Sequence, residues 1–123
     1  MPEPARSDFF ITKSGSFALR LDDQRNIESY RYSLLIAPRQ IISHPLYLRI
    51  LFENPTNSES PLATNMVVEA GGGDIHIDSP EVHGLKSCTN YRVEVLVFDT
   101  AEREHQIGRH NQYIRFIQPS FVK

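Results

Sequence analysis

The sequence predicts an all-β domain: seven antiparallel strands packed as a single sandwich. Three observations carry that expectation. Ile, Val, Thr, Phe and Tyr make up more than a quarter of the 123 residues, whereas Ala supplies only six. β-branched and aromatic side chains suit a pleated surface, and scarce alanine weakens any helix. No stretch of helical length carries an apolar stripe at i, i+3, i+4 and i+7. Instead, apolar and polar residues alternate in short segments closed by turn residues, as in strands with one buried face.

Ser16–Asp22 alternates Phe17, Leu19 and Leu21 with polar or small residues and ends in the turn Asp22-Asp23-Gln24-Arg25-Asn26. Phe9–Lys13 can add a further N-terminal strand. Glu28–Ile36 puts Tyr30, Tyr32, Leu34 and Ile36 on one face, and the Pro38–Pro45 stretch stops it because each proline removes a ladder donor. Pro45–Glu53 alternates Leu46, Leu48, Ile50 and Phe52 with Tyr47, Arg49, Leu51 and Glu53. After a polar loop over Asn54–Pro61 come two short strands, Asn65–Ala70 and Asp74–Asp78. The Gly71-Gly72-Gly73 run between them is expected to be a hairpin turn. Tyr91–Phe98 turns Tyr91, Val93, Val95 and Val97 to one side, a charged loop covers Asp99–Asn111, and Gln112–Gln118 is the last strand. Residues 1–8 are expected to be a disordered tail, because they bury no apolar surface, and residues 9–123 to be the sandwich domain.

The length suits one domain whose core buries roughly two thirds of the unfolded surface. One cysteine excludes an internal disulfide and a Cys-based zinc site. No apolar run is long enough for a membrane span, and the acidic, polar N-terminus is unlike a signal peptide. With the lone thiol of Cys88, read as a partly buried structural group, these features point to a reducing cytoplasmic compartment. The net charge of -2 supplies no basic field for nucleic acid. Arg31, Arg49, Arg92 and Arg115 fall on strand faces near Tyr47 and Tyr113, but the interleaved Glu53 and Glu94 interrupt any positive track.

The stretch Gly84-Leu85-Lys86-Ser87-Cys88-Thr89-Asn90-Tyr91-Arg92-Val93-Glu94-Val95 resembles the end of a fibronectin type III domain. There a leucine lies six positions before a tyrosine that opens an alternating strand, as Leu85 and Tyr91 do here. The resemblance implies an immunoglobulin-like, fibronectin type III-like sandwich with a tyrosine corner, in which the ring packs in the core and the hydroxyl bonds backbone upstream. That family carries an early core tryptophan; this chain has none, and Phe17, Tyr30, Tyr32 and Phe52 are the candidates to fill its volume.

Naming the strands A to G in order places the B–C loop (Ala37–His44), the D–E turn and the F–G loop (Asp99–Asn111) at one end. The two longer loops hold Arg39, His44, Arg103, His105, Arg109 and His110, the candidate partner-binding residues. Asp74, His76 and Asp78 share one strand face, with His83 nearby, so an alternative is a small metal- or anion-binding protein. Gly71–Asp74 lacks the lysine and strand-to-helix context of a phosphate cradle, and no nucleophile elbow occurs. The expectation is therefore a non-enzymatic protein–protein interaction module without a cofactor, acting through these loops or through an exposed sheet edge. The weakly charged Asn65–Ala70 strand is the edge that invites homodimerisation, or cover by Phe9-Phe10-Ile11.

Overall fold

The computed structural model describes residues 9–118. The tail expected over residues 1–8 and the final residues 119–123 lie outside that range. Every regular element among the described residues is a strand: β1 (Phe10–Leu21), β2 (Ile27–Pro38), β3 (Leu46–Phe52), β4 (Leu62–Val68), β5 (Ile75–Asp78), β6 (Thr89–Phe98) and β7 (Gln106–Phe116). They pair in two antiparallel sheets, one in the order β1-β2-β5 and the other β4-β3-β6-β7. No helix among them is long and apolar enough to cross a membrane.

Alternation decides which face is buried. Tyr32, Leu34 and Ile36 of β2 meet Leu48, Ile50 and Phe52 of β3 and Val93, Val95 and Val97 of β6 in one core cluster fed by both sheets. Tyr32 is the largest fully buried side chain. Its ring stacks on Phe52 with centroids 5.2 Å apart and leans on Phe17 at 4.6 Å. These rings occupy the middle of a core that has no tryptophan. The Tyr32 hydroxyl donates to the Glu53 carbonyl at 2.6 Å, so the buried polar tip is satisfied. Burial, reinforced by Glu53 and Tyr91, holds that phenol protonated well above its usual range.

The tyrosine corner is present. Tyr91 is 3% exposed, and its hydroxyl accepts the Lys86 amide at 2.7 Å. Cys88, two residues further along that connection, adopts φ 62° and is exposed, not partly buried. Its amide is held by the Phe116 carbonyl at 2.8 Å, which fixes the turn while the thiol faces solvent.

Four elements differ from the sequence-based expectation. Phe9–Lys13 and Ser16–Asp22 are not separate strands: β1 runs through both, and a register shift between Thr12 and Ser14 absorbs Lys13. The N-terminal residues therefore pair with β2 and do not cover β4. β4 begins three residues early because Leu62, Thr64, Met66 and Val68 form its inward set. The glycine run is not a hairpin turn, since β4 and β5 belong to different sheets. It carries the chain across the sandwich instead, with Gly71 at φ 77° and its amide donating to the Ile42 carbonyl. β7 starts at Gln106, inside the expected loop, because its polar residues find partners that sequence spacing does not reveal.

The corner yields a direct expectation. Tyr91→Phe keeps the ring and strands the half-buried Lys86 amide, so unfolding stability should fall by about 1 kcal/mol with the fold retained. Urea denaturation measures it, and an unchanged midpoint contradicts the role assigned to the hydroxyl.

Candidate functional site

The segment joining β2 to β3 lies between Pro38 and Pro45, neither of which has a backbone donor, so it continues neither ladder. Two bonds anchor it. The Arg39 amide donates to the Phe9 carbonyl, and the Gly71 amide donates to the Ile42 carbonyl, both at 2.8 Å. Here a cavity of about 350 Å³ opens, lined by Phe9, Phe10, Ile42 and Leu46 with Arg39 and His44 among its polar lining. Ile42 is tucked in at 8% exposure, while its neighbour Ile41 stands 92% exposed. Among the described residues, no acidic one lines the cavity. This concavity can take an apolar side chain, and the planar guanidinium of Arg39 suits a carboxylate beside it.

Of the six residues expected at this end, Arg39 and His44 line this cavity. Arg103 is turned inward: at φ 56° its guanidinium donates to the Leu48 and Met66 carbonyls, both at 3.3 Å, and sits 5.8 Å from the Tyr47 ring centroid. It clamps the 99–105 segment to β3 and β4. His105 is exposed, with Nδ1 3.1 Å from Asp99 Oδ2. Arg109 and His110 are not loop residues at all; both belong to β7.

Strand geometry sends those two to opposite faces. Arg109 lies on the outer face of the four-stranded sheet, where it and Arg92 bind Glu94 Oε2 at 2.7 and 2.6 Å. Asn111 is buried against them; with its amide oriented to suit its neighbours, it donates to Glu94 and accepts from both arginines at 3.2 Å. Tyr47, Arg49, Tyr113 and Arg115 share this face by register, whereas Arg31 lies on β2 in the other sheet. Arg49 sits 5.9 Å from the Phe98 ring centroid. Glu94 thus pairs with both Arg92 and Arg109 and interrupts the row of basic residues, which does not form an open track.

His110 points the other way and is 2% exposed. Its Nε2 lies 3.0 Å from both Thr12 Oγ1 and Gln112 Oε1, and Thr12 donates to the same Gln112 oxygen at 3.1 Å. An amide oxygen only accepts, so Nε2 carries the imidazole hydrogen. Phe10 packs edge-on to the ring at 6.3 Å. Burial lowers the pKa of His110 below 6.5; bonds to Gln112 and the Phe10 backbone oppose the shift, and the charge of Arg39 adds to it. His110 is therefore a neutral, structural histidine.

The residues of the metal alternative do not gather around one point. Asp74 accepts from Lys13 Nζ at 3.0 Å, and His76 lies 3.0 Å from Ser33 Oγ and 3.3 Å from Asp78. His83 is exposed. Among the described residues no three His, Cys, Asp or Glu side chains group as a metal site. Sequence reasoning missed Ile41 and the Phe9 and Phe10 lining. A signal existed: Ile41 and Ile42 are adjacent between two prolines, and such a pair in a loop cannot readily bury both side chains.

No protein-family model matches the chain, and comparison with curated proteins gives no match. A chain in the crystal structure of Bacteroides uniformis beta-glucuronidase is similar, with a TM-score of 0.47 and 17% sequence identity. The match covers 88% of this chain and 13% of that one.

The buried imidazole sets a pH dependence. Because its folded pKa lies below 6.5, the unfolded chain takes up a proton first as pH falls. Stability should be level above the unfolded value, decline as pH drops through it, and level off once the folded value is passed. Urea midpoints between about pH 8 and 5 should show this decline in the wild type and a shallower one in His110→Gln. Equal slopes would contradict the assignment.

Proposed function

We propose that the chain is a fibronectin type III-like sandwich that serves as a non-enzymatic interaction module. It takes, in the cavity between β1, β2 and β3, an apolar side chain flanked by a carboxylate from a protein partner. The family reading is supported by the tyrosine corner and by strand order: the fourth strand joins the third, not the fifth as in constant-type immunoglobulin domains. The observation that carries the function is Ile41, 92% exposed at the rim of a cavity whose described lining contains Arg39 and His44 and no acid. Apolar surface rimmed by charge of one sign favours a partner of opposite sign, with the apolar contact supplying affinity and the arginine orientation. An exposed lone thiol at Cys88 fits a reducing compartment such as the cytoplasm.

The test compares what immobilised wild type, Ile41→Asp and Arg39→Glu retain from extract of the source cells. The wild type should capture a defined protein that both variants lose, while His105→Ala keeps it, with melting temperatures unchanged for all three variants. Capture that is indifferent to Ile41 and Arg39 would reject this surface.

A further inference from the structure

Four strands lie at sheet edges: β1 and β5 in one sheet, β4 and β7 in the other. An edge presents backbone groups that a foreign strand can meet, and monomeric proteins blunt edges with charge, bulges, shortness or cover. β1 carries Lys13 and Arg20 and two register shifts. β7 carries Arg109 and Arg115 and lies against β1. β5 is four residues long and bears His76 and Asp78. Among the described residues, β4 shows none of these devices. Its seven residues, Leu62–Val68, include no charge and no proline, and they pair with β3 along their whole length without a shift. Arg103 donates to the Met66 and Leu48 carbonyls, pinning β4 to β3 and presenting a preorganised edge.

We propose that β4 is a self-association edge, at which two copies of the chain pair antiparallel about a twofold axis through Asn65 and join their four-stranded sheets. The occupant is a second copy because a strand without charge meets itself with no like charges opposed. Asn65 is its midpoint, so with Asn65 opposite Asn65 of the partner subunit all seven residues find a counterpart, and any other register shortens the ladder. Ala63 then faces the partner's Val67, Leu62 faces the partner's Val68, and Thr64 faces the partner's Met66. Core-side residues meet core-side residues, and no like charges oppose. Val67, 46% exposed in the single chain, gains an apolar neighbour. Such an isologous contact closes at two copies.

Light scattering across micromolar to millimolar concentrations tests it. The mass should rise from 14.1 kDa toward twice that value for the wild type and stay near 14.1 kDa for Val67→Lys and for Asn65→Lys. Both positions are exposed, so either variant should fold, and circular dichroism checks each. In a Cys88→Ser background, mild oxidation should link Asn65→Cys into a covalent dimer and link Ala63→Cys far less. A wild type that stays at monomer mass throughout overturns the proposal. So does a dimer that survives both lysine substitutions, or one that links equally at both cysteine positions.

Discussion

The first and last strands lie in different sheets, so no backbone ladder joins them, and side chains must close that flank of the sandwich. Two glycines allow it. A Cβ on Gly108 of β7 would fall inside the Phe9 ring, and a Cβ on Gly15 of β1 would meet Gln112 Nε2 at 2.7 Å and Ile114 at 3.1 Å. Real side chains do not approach so closely; the flexible Gln112 amide could give way at Gly15, but the Phe9 ring leaves no room for a Cβ at Gly108, so this close approach needs a glycine there. Along the same flank, Thr12, His110 and Gln112 hydrogen-bond one another, and Phe17 meets Phe116 edge-on at 5.4 Å.

Much of the rest depends on this contact. With Phe9 seated on Gly108, its carbonyl receives the Arg39 amide, which sets where the loop after β2 begins. That placement gives the cavity its Phe9 and Phe10 lining and leaves Ile41 exposed at its rim. The same contact buries His110, so an imidazole that would be a solvated loop group becomes an uncharged link between two sheets. It also covers the β1 and β7 edges against each other, which leaves β4 as the longer edge that no described residue guards.

β2, β3 and β6 were legible from sequence because their alternation is strict and each inward residue is apolar. The first half of β7 was not. Arg109, His110 and Asn111 read as a solvated loop, and they enter a strand only because Glu94, Thr12 and Gln112 meet their polar atoms. Glu94 and Thr12 are remote in sequence and leave no local trace. The Gly71–Gly73 run was misread for a different reason: positive φ serves a hairpin and a crossing between sheets equally well, and only strand pairing separates them. β1 looked broken at Ser14-Gly15-Ser16 because small polar residues usually interrupt strands, whereas here Gly15 marks the closest approach to β7. At the candidate site, Arg39 and His44 were legible as charged residues between strands. Ile41 was hidden by the assumption that apolar residues mark core.

A double-mutant cycle at Phe9 and Gly108 measures the closing contact most directly. Gly108→Ala alone should destabilise the domain by about 1–3 kcal/mol, the usual cost of overpacking. In a Phe9→Ala background the same change should cost almost nothing, giving a coupling of at least about 1 kcal/mol. Additive effects, with Gly108→Ala equally harmful in both backgrounds, would contradict the claim that the Phe9 ring on Gly108 closes the sandwich.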